Sequence, residues 1–374
     1  MIFKDFQVIF TDRIEKMSVQ IKDGKIRSFN PDFSQDEVIE GEGRYLSPGF
    51  IDIHIHGAGN HDTMEGTFEA LEIISKTIAE HGTTTFLPTT MTVDVKEIRR
   101  AVEAVKVAQG SVTGASIGGV HLEGPFISED AIGAQNPNYV IRPSIESFKE
   151  MVGEHTDLIK NITMAPEIDG ALELIPYLRD NDINVSMGHT VATYDQAMEG
   201  IRAGVNHSTH LFNAMTPFTH RSPGVVGAIF DSDITTETIS DGIHVSYPSL
   251  RTAYKIKTSE KVLLITDAMM ACGMPDGTYT LGGQDVFSKD GAARLSSGAL
   301  AGSILTMDKA VKNVFENTDF TLHEVVKMAT YNGALFIGAE KSKGKIALNY
   351  DADLLILSKD LDVEHVFIQG KQFK

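Results

Sequence analysis

Two histidines at the end of a short apolar segment, His54 and His56, have the type and spacing of metal ligands. The apolar residues of segment 50–55 predict a buried strand, which Gly57 closes. Side chains two positions apart on a strand point to the same face, so Asp52, His54 and His56 share one side. Two imidazoles on one face can hold a divalent metal, although two hydrogen-bonded core histidines would have the same spacing.

Further histidines and carboxylates follow apolar segments later in the chain. They come at or after the ends of four more predicted strands: His121, Glu123, His189, His207, His210 and Asp267. We interpret Glu123, His189 and His210 as metal ligands, because three unrelated structural residues at such places are less expected. His121 and His207 are interpreted as packing or supporting histidines. Asp267 is either a helix cap or a catalytic acid and base.

Imidazole and carboxylate ligands without a thiolate favour a catalytic divalent ion, zinc first, with iron or manganese as alternatives. Such an ion lowers the pKa of a bound water toward about 7. Asp267 could take a proton from that water and return it to a leaving amine. Because His54 and His56 are both present, one or two ions per subunit are expected. The sequence has no serine-nucleophile elbow and no Walker or dinucleotide glycine motif.

Alternating strand-like and helix-like segments must position these groups. Eight segments are predicted to be strands: 50–55, 83–87, 116–123, 161–165, 183–188, 205–210, 235–240 and 262–265. Helical periodicity is found in segments 68–81, 95–107, 145–154, 171–181, 194–203 and 248–257. This alternation predicts an α/β fold, a (β/α)8 TIM-type barrel, in which groups at the carboxyl ends of the strands share one face.

Short strands at both ends of the chain predict a second, smaller domain. Segments 18–22 and 25–29 flank Asp23-Gly24, a hairpin signal, and segments 345–346, 352–357 and 366–368 look similar. A two-stranded unit is marginal in water, so we expect the termini to form one small β-sandwich domain. The alternative is two independent additions to the barrel. The expected boundaries are 1–47 and 344–374 for the small domain and 48–343 for the catalytic barrel.

Composition argues against several classes of function. The chain has 374 residues, 42% of them hydrophobic, which suffices for one large and one small domain. A net charge of −18 disfavours nucleic acid and anionic membranes as partners. No apolar stretch reaches the roughly 18 residues of a membrane helix, and the first residues do not resemble a signal peptide. The single cysteine, Cys272, fits a cytoplasmic location.

Two segments near the later ligands are suited to a phosphate group. Segment 219–224 contains Arg221, and segment 241–244 ends the seventh predicted strand with His244. Arg221 can contact phosphate through two parallel hydrogen bonds, beside backbone N–H groups of a glycine-containing loop. Arg221 is equally consistent with a solvated surface charge.

Together these residues resemble a known family. Segment 48–57 is similar to the opening metal motif of the amidohydrolase superfamily. Segments 121–126, 188–190, 209–215, 241–245 and 266–268 are similar to its N-acetylglucosamine-6-phosphate deacetylase family. Segments 344–347 and 351–354 are typical of the superfamily's small β domain. The resemblance covers essentially the whole chain, and its most specific parts are His-Leu-Glu-Gly-Pro at 121–125 and His-Leu-Phe-Asn-Ala-Met at 210–215.

The resemblance implies a metal-dependent homodimer that hydrolyses the acetamide of N-acetylglucosamine 6-phosphate in amino-sugar metabolism. It implies that Glu123, His189 and His210 hold the main metal and that Asp267 is the general base and acid. It implies contacts to the sugar phosphate from Asn213, Ala214, Arg221 and His244. Contacts to the sugar and acetamide would come from Ala134, Gln135, Leu300, Ala301 and Gly302. Some members lack the opening histidine pair and use one ion, whereas this chain keeps His54 and His56, which favours two.

Two alternatives change part of this interpretation. The first keeps the fold but acts on a cyclic amide or an N-acyl amino acid. Many such enzymes carry a metal-bridging lysine at the end of the fourth strand, where this chain has Met164-Ala-Pro-Glu167. The second is a non-catalytic scaffold, which would be expected to lose ligands that this chain retains.

Overall fold

Eight parallel strands form a closed barrel in the computed structural model, which describes residues 1–32 and 37–374. The barrel strands, numbered here from first to eighth, are Phe50–Ile55, Thr83–Pro88, Val120–Glu123, Ile159–Met164, Asn184–Met187, His207–Ser208, Thr235–Ile239 and Val262–Ile265. The first two pair in one sheet and the other six in a second sheet, each strand beside its neighbour in sequence. Isolated parallel bridges, Ile55 to Ala268 and Thr89 to His121, join the two sheets on either side. The predicted (β/α)8 barrel is therefore confirmed.

Some strands are shorter than predicted. The predicted third strand is divided into Ser116–Ile117, which pairs with the second strand, and Val120–Glu123, with Gly118 and Gly119 between them. Only His207–Ser208 of the predicted sixth strand is regular. The residues that follow, up to Met215, are irregular, and His210, Phe212 and Ala214 among them have positive φ angles. His210, a predicted metal ligand, thus lies in irregular backbone beyond the strand end.

Ten helices occur in the described ranges, six of them in predicted segments. Their bounds are Phe68–Ala79, Val95–Ala108, Ile145–Val152, Ala171–Asp180, Tyr194–Ala203, Gly224–Phe230, Tyr247–Lys261, Met307–Asn317, Leu322–Ala329 and Tyr331–Phe336. Short 3-10 turns are found at Thr63–Glu65, Glu129–Ala131, Pro137–Tyr139 and Thr156–Leu158. Side-chain caps account for several helix starts: Thr67 accepts from the N–H of Ala70, and Thr193 forms a capping box with Gln196.

Helix Tyr247–Lys261 is interrupted at Thr258, whose φ of 58° and ψ of 172° are not helical. This interruption explains why the predicted helix 248–257 stops short of the element's end. Helices Gly224–Phe230, Met307–Asn317, Leu322–Ala329 and Tyr331–Phe336 were not predicted. Among the helices of the described ranges, none combines the length and hydrophobicity that crossing a bilayer requires.

Strands from both ends of the chain form one sheet, called here the terminal sheet. In sheet order its strands are Lys371–Gln372, Val363–Ile368, Leu354–Leu357, Tyr45–Pro48, Ile2–Ile9, Ile14–Lys22 and Lys25–Phe29, with Val38–Glu40 beside Ile2–Ile9. Phe3, Leu46, Leu354 and Phe367 share its core, separate from that of the barrel. The predicted hairpin at Asp23-Gly24 is present, whereas 345–346 is not a strand. Residues 33–36 of the predicted small-domain range lie outside the described residues.

A three-stranded antiparallel sheet follows the eighth barrel strand and was not predicted. Its strands are Gly277–Leu281, Gln284–Lys289 and Ala292–Leu295. A short two-stranded antiparallel ribbon, Gly57–Ala58 with His61–Asp62, lies beyond the first barrel strand. In the three-stranded sheet, two-residue turns of Gly282-Gly283 and Asp290-Gly291 connect the strands. Such turns are the sequence signal that could have identified this sheet. Gln284 donates to the carbonyl of Ala134 at 2.7 Å, which fixes the sheet against the loop after the third barrel strand.

The two faces of the barrel strands differ in character. Ile51, Ile53 and Ile55 point outward by alternation and are buried among apolar residues. Asp52 and His54 point the other way, where the side chains are polar and fully enclosed. Such polar groups must find hydrogen-bond partners inside the barrel, which makes its interior a connected network rather than an apolar core.

Candidate active site

The predicted metal-binding residues all lie at the carboxyl end of the barrel. His54 and Glu123 belong to the first and third strands, and His56 follows the first strand directly. His189 and His210 each come two residues after the fifth and sixth strands, and Asp267 two residues after the eighth. Two groups of these residues have ligand atoms within 4.8 Å of one another: Glu123 with His189 and His210, and His54 with His56 and Asp267.

The first group has the spacing of metal ligands. Oε1 of Glu123 lies 3.1 Å from Nε2 of His210 and 3.4 Å from Nε2 of His189, and the two Nε2 atoms are 3.1 Å apart. Ligands about 2.0–2.1 Å from a tetrahedral ion are separated from each other by roughly 3.3 Å. All three side chains are at least 95% buried. The donor set therefore fits a divalent metal ion.

The second group, His54 with His56 and Asp267, lies beside the first and is in contact with its Glu123. Oδ1 of Asp267 is 3.5 Å from Nε2 of His54 and 3.3 Å from Nε2 of His56. Glu123 lies between the groups, with Oε1 3.3 Å from Nε2 of His54 and Oε2 3.2 Å from Nε2 of His56. One carboxylate thus faces both groups, an arrangement that can serve one ion or two.

Hydrogen bonds fix His56 and His189 in the tautomer that binds metal through Nε2. Nδ1 of His56 lies 3.2 Å from the carbonyl of Thr89, and Nδ1 of His189 lies 3.0 Å from the carbonyl of Ala131. A carbonyl only accepts, so each Nδ1 carries the proton and each Nε2 has a free lone pair. Nε2 of His54 is buried without a hydrogen-bond partner and is directed at the cluster. These features fit a cation at the centre.

The backbone at three of these residues is left-handed. φ is 50° at His189, 24° at His210 and 50° at Asp267, a region that residues other than glycine seldom occupy. The strain turns each side chain from the end of its strand toward the barrel axis. Gly188 permits the turn before His189, since a Cβ there would lie 2.7 Å from Cβ of Thr209.

The charges of the cluster suit general acid–base chemistry. Burial alone would raise the pKa of Asp267, but the adjacent imidazoles of His54 and His56 hold that pKa below its usual range. Asp267 is therefore a carboxylate at neutral pH and can accept a proton. Burial, reinforced by the neighbouring His54, lowers the pKa of His121 to about 3, so this imidazole is neutral. His121 hydrogen-bonds Thr163 at 2.7 Å, consistent with the predicted supporting role.

Sequence reasoning missed Glu237, a fully buried carboxylate on the seventh barrel strand. Its oxygens lie 2.9 Å from Nδ1 of His54 and 3.3 Å from Nε2 of His207. Burial alone would raise the pKa of Glu237, but His54 and His207 hold that pKa well below its usual range. A charged residue within a strand that is buried on both faces was the available signal, because such a charge requires a partner.

The cluster forms one wall of a cavity of about 280 Å³. Seven of the nine predicted substrate-binding residues line this cavity: Ala134, Gln135, Asn213, Ala214, His244, Leu300 and Gly302. Met91 and Leu281 line it as well and were not predicted. Ala301 is buried behind the wall, where its N–H donates to the carbonyl of Ala293. Arg221 lies in the exposed segment 217–222 and is not among the lining residues.

Two lining residues are held by specific hydrogen bonds. Gln135 donates from Nε2 to Oε2 of Glu123 at 2.6 Å and accepts from the N–H of Thr92 at 2.7 Å. Nδ1 of His244 lies 2.6 Å from Oδ2 of Asp241, whose other oxygen accepts the N–H of His244 at 2.8 Å. Burial alone would raise the pKa of Asp241, but His244 holds it below the usual range. Both side chains are thereby fixed at the cavity edge.

Comparisons with known proteins agree with this geometry. The Amidohydrolase family model matches residues 45–373. N-acetylglucosamine-6-phosphate deacetylase of Lysinibacillus sphaericus is 41% identical over 363 residues, which are 96% of this chain and 94% of that one. The protein of the same name from Bacillus subtilis (strain 168) is 40% identical over 381 residues, 99% of this chain and 96% of that one.

A solved structure gives the same result for the fold. It is a mutant N-acetyl-D-glucosamine-6-phosphate deacetylase of Mycobacterium smegmatis in complex with N-acetyl-D-glucosamine-6-phosphate. Its TM-score is 0.94 at 29% sequence identity, with 100% of this chain and 99% of that chain covered. The matches run through the barrel, the ligand cluster and the terminal sheet. This chain belongs to the amidohydrolase family.

Proposed function

We propose that the chain hydrolyses the acetamide of N-acetylglucosamine 6-phosphate to glucosamine 6-phosphate and acetate. The observation that carries the proposal is the cavity of about 280 Å³ in which the metal-ligand cluster and Asp267 face the same space. The relatives named above bear the name of this activity and match over nearly the full length of both chains. The metal dependence expected of the family agrees with the two ligand groups.

The proposed metal ligands are His54, His56, Glu123, His189 and His210. Zinc is the ion we propose, because imidazole and carboxylate donors at tetrahedral spacing suit it, and iron or manganese are the alternatives. We propose one or two ions per subunit, since His54 and His56 supply a second set of donors. An ion held by these residues would supply Lewis-acid chemistry for the acetamide carbonyl and would lower the pKa of a water molecule.

Asp267 is the proposed general base and acid. Its carboxylate takes a proton from the attacking water as the new C–O bond forms at the carbonyl carbon. It then delivers that proton to the nitrogen as the C–N bond breaks, so that acetate and the free amine leave. The left-handed backbone at Asp267 keeps the carboxylate at the cavity wall throughout.

The remaining lining residues are proposed to orient the sugar. Gln135 can donate a hydrogen bond to the acetamide, and Ala134, Leu300, Ala301 and Gly302 shape the wall around the sugar. Asn213, Ala214 and His244 are proposed to contact the phosphate, with His244 held in place by Asp241. Arg221 is proposed to contribute positive charge from segment 217–222.

We further propose that the chain works as a homodimer in the cytoplasm. The single, buried Cys272 suits a reducing compartment. The proposed domain boundaries are 1–47 with 344–374 for the small β domain and 48–343 for the barrel. The terminal sheet and its separate apolar core support this division.

Acetate release from N-acetylglucosamine 6-phosphate tests the proposal directly. The assay is run with and without a chelator, beside unphosphorylated N-acetylglucosamine. We expect metal-dependent release that is far faster from the phosphorylated sugar than from the unphosphorylated one. No release after loading with zinc, iron or manganese would refute the proposal and redirect the assay to cyclic amides and N-acyl amino acids. The end of the fourth strand argues against those substrates, because Met164-Ala-Pro-Glu167 there contains no metal-bridging lysine.

Arg221→Ala tests the phosphate contact separately. Loss of the guanidinium should raise KM for the phosphorylated sugar by at least about tenfold and leave the unphosphorylated sugar unaffected. Arg202 is an exposed arginine on helix Tyr194–Ala203, and Arg202→Ala is the matched control. It should leave KM unchanged for both sugars. Equal effects of Arg221→Ala on both sugars would remove Arg221 from the phosphate site.

A further inference from the structure

We infer that Glu237 is a positioning residue that fixes the tautomer of His54 and so decides how tightly the second ligand group holds its ion. The second ligand group is His54, His56 and Asp267. The inference rests on the proposed metal-dependent function. Glu237 lines no part of the cavity and belongs to none of the proposed catalytic or binding sets.

Glu237 is a carboxylate at the centre of the barrel with no exposed surface. Oε2 lies 2.9 Å from Nδ1 of His54, and Oε1 lies 3.3 Å from Nε2 of His207. Oε2 also accepts the backbone N–H of His210 at 3.1 Å. A charge this deeply buried is retained only where several donors satisfy it, and three donors surround this one.

The contact to His54 determines which nitrogen carries the proton. An ionised carboxylate can only accept a hydrogen bond, so Nδ1 of His54 must be the protonated nitrogen. In the neutral imidazole Nε2 then carries a free lone pair, and this atom is directed at Asp267 and Glu123. With the opposite tautomer, a proton on Nε2 would occupy the position of the ion. Glu237 therefore selects the form of His54 that binds metal.

His56 and His189 provide an internal comparison. Their Nδ1 atoms are held by the backbone carbonyls of Thr89 and Ala131, which no side-chain substitution removes. His54 differs because its partner is a side chain. Glu237 also reaches both ligand groups, since it holds the side chain of His54 and the N–H of His210.

A metal ion held by Glu237 itself is a different interpretation of the same residues. Ligand atoms of His54, His121 and Glu237 lie within 4.8 Å of one another. Nδ1 of His54, however, is already the hydrogen-bond donor to Glu237, and the cavity is on the side of Nε2. The geometry favours the hydrogen bond and places the ion at Nε2.

Metal affinity of three variants tests the inference. Glu237→Met removes both acceptors from a side chain of similar length. Glu237→Gln keeps one oxygen for His54, while its amide group can donate to His207, whose Nδ1 is 2.6 Å from Oγ1 of Thr235. Thr238→Val is the control. Thr238 is on the same strand as Glu237, and its substitution removes a buried hydrogen bond to Tyr254 without touching a proposed ligand.

Zinc and cobalt titrations of the metal-free full chain supply the readout, with ions counted per chain after dialysis. We expect Glu237→Met to bind the ion of the second group about 10–100-fold more weakly. The Kd of Glu237→Gln for this ion should lie within about threefold of the wild-type Kd. The Kd of Thr238→Val should equal the wild-type Kd. The cobalt absorption of Glu237→Met should lose the bands of the second ion and keep those of the first.

Several results would overturn the inference. Wild-type metal affinity in Glu237→Met would show that the hydrogen bond to His54 is dispensable. A wild-type chain that binds a single ion without the help of His54 would also refute the inference. A wild-type chain that binds no ion would refute the proposed function itself. If Glu237→Met does not fold, nitrogen-15 NMR spectra of the histidines in the zinc-loaded wild type show which nitrogen of His54 carries the proton. Protonated Nδ1 of His54, assigned by its loss in His54→Asn, supports the inference, and protonated Nε2 refutes it.

Discussion

The carboxylate of Asp267 is held within 3.5 Å of two imidazoles and can both take up and return a proton. Asp267→Asn keeps the size and one oxygen of the side chain, but an amide does not accept a proton at neutral pH. We expect kcat to fall by about 10²–10⁴-fold. The first ligand group, Glu123 with His189 and His210, should still bind its ion.

The measurement is acetate release and metal content on the same preparation of Asp267→Asn. Loss of the ion together with the activity would make Asp267 a ligand first and a proton carrier second. A kcat near wild type would contradict the assigned role.

Cys272 is a thiol that the fold shields from reaction. It is the only cysteine of the chain, and burial raises its pKa to about 12. An unfolded thiol has a pKa of about 8.5, so at pH 8 the native thiolate fraction is lower by roughly 10³-fold. We expect a disulfide reagent to modify the native chain only as fast as it opens. Rapid modification without denaturant would contradict the burial of Cys272, and the denatured chain serves as the positive control.

Among the elements, helix Tyr247–Lys261 is tied to the end of helix Gly224–Phe230 by one ammonium group. Nζ of Lys257 donates to the carbonyls of Ile229 and Ser232 at 2.9 and 2.8 Å. Burial, with the charge of Lys261, lowers the pKa of Lys257 to about 8. The unfolded chain therefore binds the extra proton between about pH 8 and about pH 10.5, so the contribution of Lys257 to stability rises across that range.

Lys257→Met tests this sign. The difference in free energy of unfolding, wild type minus variant, should grow in favour of wild type as pH rises from about 8 to about 10. Urea denaturation at each pH provides the values. Lys255→Met, an exposed lysine of the same helix, should show no such trend. A difference that is constant or shrinks with pH would contradict the lowered pKa.

Elements with a regular hydrophobic pattern could be predicted, and those defined by long-range contacts could not. The strands at 50–55 and 262–265 are continuous apolar runs, and the structure has them at those positions. Helix Gly224–Phe230 was missed because a short, wholly apolar run has no helical periodicity. Segment 345–346 was predicted as a strand because Ile346 is apolar. In the structure Ile346 packs into the core of the terminal sheet from irregular backbone.

The candidate ligand set could be predicted from residue types at strand ends, whereas its supporting contacts could not. Glu237 sits among threonines on a predicted strand, where its charge signals the need for a partner but does not identify that partner. Its role depends on His54, which is 183 positions away in sequence. The position of Arg221 relative to the cavity likewise depends on an irregular segment without a predictable path.

For the whole molecule, metal binding and barrel stability should be linked. The first and eighth strands are joined by the isolated bridge Ile55–Ala268, and the second ligand group has residues on both sides of it. An ion that binds only the folded chain adds about 1.4 kcal/mol for each tenfold rise in its free concentration. We expect Tm of the metal-free chain to rise steadily with added zinc. Magnesium, which prefers oxygen ligands, should leave Tm unchanged, and a Tm insensitive to zinc would contradict the link.

The terminal sheet also has a consequence for synthesis on the ribosome. Strand Tyr45–Pro48 pairs with Leu354–Leu357, so its partner emerges about 300 residues later. At about 5–20 residues per second, the N-terminal strands wait roughly 15–60 s for that partner. During this time the barrel can close, while Phe3 and Leu46 lack the C-terminal half of their core. The nascent chain therefore exposes apolar residues and an unpaired strand edge for most of its translation. We expect chaperones that protect such edges to act on this sheet rather than on the barrel.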